Sequence, residues 1–98
     1  MKIIWTNRAL ISYFKIADYL KEEWGETVTK NFEAEVERTI LKISESPLMF
    51  KTSKKYKNVR KDFITKHNTL FYRVKPRKNI IEILIFWDNR QDDNKSPY

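Results

Sequence analysis

Gly25 is the only glycine in the chain, and it falls between two stretches whose apolar residues recur at helical spacing. In the first stretch Leu10, Tyr13, Phe14, Ala17, Leu20 and Trp24 form one stripe, with Lys15, Asp18, Lys21 and Glu22 toward the other side. That pattern predicts an amphipathic helix from about 7 to 24. In the second, Val28, Phe32, Val36, Ile40 and Ile43 share a face and predict a helix from about 27 to 45. Thr6 or Asn7 can cap the first helix by accepting a hydrogen bond from a free backbone N–H. A glycine just past its end accepts the left-handed conformation without a Cβ clash. Pro47 stops the second helix, because the residue before a proline is pushed out of helical geometry. Two apolar stripes joined by so short a connection make a helical hairpin, which must lay its apolar side on another layer.

The other layer is legible as strands. Lys2 to Trp5 (KIIW) is a short β-branched run. Val59 to Thr65, Thr69 to Lys75 and Ile80 to Trp87 are rich in β-branched and aromatic residues, and the polar links KHN (66–68) and PRKN (76–79) separate them. The expected fold is α+β and two-layered: an N-terminal strand, the helical hairpin, then a three-stranded antiparallel meander (β-α-α-β-β-β) in one mainly antiparallel sheet. Alternation along a strand puts Leu70, Tyr72 and Val74 on the helix side and turns Thr69, Phe71 and Arg73 away. Arg60 and Asp62 share a face, close enough for an ion pair. Ile80 to Trp87 is apolar on both parities apart from Glu82, which predicts a central strand covered on both sides. With 98 residues, no repeat and no linker, the chain reads as a single domain, 1–98.

Charge is unevenly spread. The net charge is +7, yet residues 51–78 alone hold eleven Lys/Arg against Asp62, while the flanking segments are slightly acidic. A field concentrated in one stretch points to a polyanionic partner, either nucleic acid or an acidic protein segment. Lys54, Lys55, Lys57, Arg60, Lys61 and Arg73 are its candidate contacts, with Arg90 beyond it. Cysteine is absent, which excludes disulfides and thiolate metal sites, and the single histidine, His67, makes no imidazole cluster. Asp88, Asp92 and Asp93 match no calcium or magnesium spacing, and one glycine makes no phosphate-binding loop. No metal and no cofactor are expected. The longest apolar run, Ile83 to Trp87, is far short of the ~20 residues of a membrane helix. The reading is therefore a cytoplasmic protein without a membrane partner.

Three residues outside the core pattern invite a role. Arg90 follows the last strand, where a rigid scaffold leaves the backbone free to shape a cleft; the bland alternative is a turn arginine paired with Asp88 or Asp92. Tyr98 takes the default reading of a frayed last residue. His67, in a hairpin turn, reads as an exposed turn histidine.

Taken in order, the opening KIIWTNRAL, the WGE at 24–26, the F-x-x-x-V-E-x-x-I run at 32–40, the ESP at 45–47, the YKNVRKDFI and LFYRV strands and the ILIFWDNRQD ending resemble the RelE/ParE superfamily of type II toxin-antitoxin toxins. No single motif is specific; the ordered set is. The resemblance implies a small cytoplasmic growth inhibitor neutralised by a cognate antitoxin, whose disordered segment wraps around it in a hetero-oligomer.

The superfamily divides by target. In the RelE-like branch, a metal-independent, ribosome-dependent mRNA endonuclease, basic side chains activate the 2′-hydroxyl, stabilise the phosphorane and help protonate the leaving oxygen. Matched through Tyr72, Arg60 falls where that branch has a catalytic lysine, Arg90 where it has an arginine, and Tyr98 near its terminal tyrosine. These three residues are the catalytic set if the protein is RelE-like. Asp62, however, falls where a second lysine belongs and Thr69 where an arginine belongs, and an acid in place of a cation repels the phosphate it should stabilise. The departures favour the ParE-like branch, whose members poison DNA gyrase by protein contact without enzymatic chemistry. A third reading, a repurposed basic binding module, would draw on Phe71 beside Arg73 for base stacking.

Overall fold

The computed structural model describes residues 1–98, with Asp93 by its backbone alone. The elements run β1 (Lys2–Trp5), α1 (Asn7–Trp24), α2 (Glu26–Glu45), β2 (Lys51–Thr52), β3 (Val59–Thr65), β4 (Asn68–Lys75) and β5 (Ile80–Asp88), with short 3₁₀ turns at Pro76–Lys78 and Asp93–Lys95. The α+β reading holds, with one addition: the two-residue edge strand β2, too short to carry a periodic signal.

The strands form one sheet in the order β1-β5-β4-β3-β2. β1 lies parallel to β5, with Lys2 opposite Ile80 and Trp5 opposite Ile83; the other pairs are antiparallel. β5 is thus an interior strand, which accounts for its apolar sequence on both parities apart from Glu82. β1 ends halfway along it, and α1 satisfies the backbone groups left over. The Thr6 N–H donates to the Ile83 carbonyl (3.1 Å), the Thr6 hydroxyl to the Leu84 carbonyl (3.1 Å), and the Phe86 N–H to Ser12 Oγ (3.0 Å). Thr6 Oγ1 also accepts from the Ala9 N–H (3.0 Å), so it caps α1.

At the hairpin corner Gly25 has φ +88° and ψ −179°. This is not the left-handed helical conformation expected from sequence but an extended one of opposite hand, which is essentially reserved for glycine. Its N–H donates to the Leu20 and Lys21 carbonyls, ending α1, and its carbonyl accepts from the Thr29 hydroxyl (2.9 Å), opening α2.

The principal core lies between hairpin and sheet: Ala9, Phe32, Val36 and Ile43 from the helices meet Ile64, Leu70, Tyr72, Ile81, Ile83 and Phe86 from the strands. Tyr13 sits at its aromatic centre, with ring centroids 5.4 Å from Trp5, 5.7 Å from Phe32 and 5.5 Å from Phe86. Leu70, Tyr72 and Val74 face the helices as expected. The stripe of α1 that meets the core, in contrast, is the buried Ala9 with Tyr13, Ile16 and Leu20 half-buried beside it, while Leu10, Phe14 and Trp24 are exposed. Those three are apolar, and their periodicity cannot say whether a neighbouring element exists to cover them.

A bulge changes the register between β4 and β5: Phe71 pairs with Ile85 and Tyr72 with Ile83, leaving Leu84 without a partner. An extra residue in one strand shifts parity beyond it. Leu84 and Ile85 consequently join Val59 and Phe71 in a second cluster, against which Trp87 and Tyr98 pack. Tyr98 is not frayed. Its ring lies 5.8 Å from those of Phe71 and Tyr56, and its carbonyl accepts from the Ser53 hydroxyl (2.9 Å).

Candidate functional site

Two concavities flank the far end of β5, one on each face of the sheet. On the helix side, a groove of about 810 Å³ runs between the hairpin corner and the ends of β4 and β5. Tyr19, Leu20, Trp24, Val28, Phe32 and Phe86 make its apolar lining, and Lys15, Glu35, His67, Asp88 and Arg90 stand at its polar margin. Trp24 is 66% exposed, a large apolar side chain displayed to solvent where the two helices meet.

Arg90 closes this groove. Its Nε and NH2 groups reach the Asp88 carboxylate at 3.0 and 2.8 Å, and its backbone N–H donates to the same carboxylate at 2.9 Å. Its guanidinium lies over the Tyr19 ring, 5.5 Å from the centroid. The hydrogen bond from Arg90 holds the Asp88 carboxyl below the usual carboxylate range, against the opposing effect of partial burial. The turn pairing expected as the bland alternative therefore exists, and it presents the arginine to the groove in a fixed orientation.

Arg60 belongs to another part of the molecule. It pairs with Tyr72 across β3 and β4, on the helix side, and its NH1 donates to the Phe50 carbonyl (2.7 Å). Tyr72 donates from its hydroxyl to the Pro47 carbonyl (2.6 Å). Together these two side chains pin the link from α2 to β2, and burial pushes the Tyr72 phenol up to about 12. Arg60 binds the Phe50 carbonyl rather than Asp62, and Asp62 Oδ2 is buried with no hydrogen-bond partner.

On the opposite face a shallower cavity of about 370 Å³ is lined by Lys54, Lys55, Lys61 and Lys66 and, among others, Phe71, Trp87 and Tyr98. Arg73 lies farther along this face, within 3.6 Å of Glu82, which Lys75 also approaches at 3.5 Å. Lys57 is exposed in the loop before β3. Of the residues singled out from sequence, then, Lys54, Lys55, Lys61 and Tyr98 share one cavity, Arg90 lines the other, and Arg60 lines neither. Phe63, Lys66, Thr69, Trp87 and Asn89 were missed. The pairing of Phe63 with Thr69, and of Thr69 with Trp87, brings three of them into one row, and that register is a tertiary fact. No group of three potential metal-ligating side chains occurs among the described residues, and none of their helices is long and apolar enough to cross a membrane.

A helical hairpin on an open sheet whose first strand lies parallel beside its last is an arrangement shared with solved toxin structures. The chromosomal ParDE toxin-antitoxin system of P. aeruginosa matches with a TM-score of 0.76 and 17% identity over 90% of this chain and 95% of that one. A YoeB/ParE toxin from Agrobacterium tumefaciens matches at 0.69 and 15%, covering 91% and 99%. The isolated E. coli RelE toxin matches at 0.65 and 15%, covering 95% and 88%. No curated protein matches the chain in sequence. The model of the ParE toxin of type II toxin-antitoxin systems (parDE) matches residues 3–93. The chain belongs to this ParE toxin family, within the RelE/ParE superfamily.

Proposed function

We propose that this protein arrests bacterial growth by engaging DNA gyrase through protein contact, and that a cognate antitoxin restrains it in the cytoplasm by laying an apolar segment in the helix-side groove. The family match over residues 3–93 carries the reading. The residues at the positions where an RNA-cleaving relative would need cations support it. Asp62 is an acid; Thr69 is bonded through its hydroxyl to Asn89 Oδ1 (2.7 Å); Arg60 is committed to a backbone carbonyl. A set of cations able to stabilise a phosphorane needs donors converging on one point, and Arg60, Arg90 and Tyr98 lie in three separate surroundings. Protein contact makes no such demand. An exposed tryptophan and an oriented arginine are typical of residues that anchor interfaces.

The test is induction in growing cells, combined with a supercoiling assay using purified gyrase and purified protein. Gyrase-linked DNA breaks, an SOS response and intact messages are expected. Ribosome-bound transcripts cut within codons would overturn the gyrase reading in favour of the nuclease. Undisturbed growth at a high level of folded protein would leave only a binding module.

A further inference from the structure

The turn between α2 and β2 displays two apolar side chains that neither the core nor the helix-side groove uses. Ser46 to Met49 forms a tight turn, closed by the Met49 N–H on the Ser46 carbonyl at 3.2 Å. Ser46 and Pro47 are usual at its first two positions, but the last two positions of such turns favour small or polar residues. Here they are Leu48, 64% exposed, and Met49, 70% exposed. A single exposed apolar residue is ordinary. Two in succession at a turn tip depart from the local rule, and such departures mark places where a sequence serves something besides its fold.

The turn is also held still. Just before its tip, the Pro47 carbonyl accepts from the Tyr72 hydroxyl (2.6 Å), and the Tyr72 side chain is fully buried. Just after the tip, the Phe50 carbonyl accepts from Arg60 NH1 (2.7 Å), and the Phe50 ring meets that of Tyr72 edge-on, 6.3 Å between centroids. Two strand residues thus fix the backbone on either side of Leu48 and Met49. A surface ordered before its partner arrives loses less entropy on binding.

Position and charge narrow the partner. The turn lies at the opposite end of the twenty-residue α2 from the Gly25 corner, about 30 Å away, so a segment seated in the groove at that corner leaves it free. From Lys42 to Lys57 the chain carries five lysines against Glu45 alone, and all five are exposed. The complementary surface is therefore apolar at its centre and acidic at its rim. A lipid surface is a poor match, since the two side chains carry fewer apolar carbons than one myristoyl chain, itself a marginal anchor. We infer that Leu48 and Met49 are a preformed knob that enters an apolar, acid-rimmed pocket of the protein this toxin arrests. The unbranched Met49 adapts to an irregular pocket wall. The inference rests on the gyrase reading above and adds to it a contact remote from Arg90.

The experiment is biolayer interferometry of purified gyrase, without DNA, on the immobilised full chain, with the supercoiling assay beside it. The parent is compared with Leu48→Ser/Met49→Ser, with the exchange Leu48→Met/Met49→Leu and with Lys51→Glu, each checked for fold by a thermal melt. Leu48→Ser/Met49→Ser should weaken gyrase binding about tenfold or more and raise the concentration that halves supercoiling by the same factor. The exchange keeps volume and apolarity and should bind nearly as the parent does. Lys51→Glu should slow association and flatten its salt dependence. If the parent binds gyrase and folded Leu48→Ser/Met49→Ser binds it as tightly, the knob is overturned and the gyrase reading stands; if the parent does not bind gyrase, both fall. The knob is also overturned if Leu48→Ser/Met49→Ser abolishes a dimer seen for the parent by sedimentation, which would place a second copy on it, or abolishes binding of the parent to phosphatidylglycerol vesicles.

Discussion

Arg90 grips Asp88 with both arms of its fork, Nε at 3.0 Å and NH2 at 2.8 Å from the two carboxylate oxygens, while its guanidinium carbon lies 5.5 Å from the centre of the Tyr19 ring of α1. The contact joins the end of β5 to the end of the first helix. A flexible side chain on a strand terminus is thereby given one orientation, and an arginine held this way can recognise a partner with less loss of rotamer entropy on binding.

Replacing Arg90 by alanine should abolish growth inhibition while leaving the fold intact. Arg90 is exposed and Asp88 half-buried, and a pair this open to solvent contributes only ~0–1 kcal/mol. The check is colony formation on induction, alongside a thermal melt. Persistent toxicity would reduce Arg90 to a structural partner of Asp88.

The Asp88 carboxyl is held low by its hydrogen bond from Arg90, so its folded pKa lies below its unfolded value of about 3.9. The stabilisation is fully present above that unfolded value and is lost as pH falls through the folded one. Asp88→Asn should therefore flatten the fall in melting temperature on the acid limb below about pH 4, and should leave the pH dependence above that value unchanged.

Tyr72 behaves in the opposite sense. Its phenol is pushed up to about 12, so its neutral form is favoured by folding; the contribution is complete below the ordinary tyrosine value of about 10 and disappears as pH rises through the folded one. Tyr72→Phe removes the donor to the Pro47 carbonyl and should destabilise the protein by about 1–3 kcal/mol if that carbonyl is left unpaired. Urea unfolding at neutral pH and again near pH 11 measures both effects, and the difference between variant and parent should shrink at the higher pH.

Gly25→Ala tests the hairpin corner. A Cβ there would meet nothing within 4 Å, so any loss comes from the backbone, whose φ of +88° with extended ψ costs a non-glycine residue about 1–3 kcal/mol. The urea midpoint should fall with an unchanged slope. A neutral result would mean that the corner relaxes to another conformation.

The elements were legible because their signals are local. Gly25, Pro47 and the change from helical to alternating periodicity near residue 58 act through backbone conformation and side-chain direction over a few residues, so the hairpin and the strands β3, β4 and β5 lie close to where the sequence puts them. The helix-side set Leu70, Tyr72 and Val74 was readable for the same reason. The α1 stripe was not, since Phe14 and Trp24 are as apolar as Tyr13 and Leu20; which of them is buried depends on where the sheet stops.

Amino-acid order alone thus determined the kinds of element, their sequence along the chain and the placement of positive charge in residues 51–78. Tertiary structure decided what those charges face. Parallel pairing of β1 with β5, the Leu84 bulge and the docking of Tyr98 join residues far apart in the chain, and their energies come from contacts that no local pattern encodes. Through them Arg60 became a clasp for the α2–β2 link, Arg90 a fixed margin of the helix-side groove, and Lys61, Phe63 and Trp87 parts of one surface.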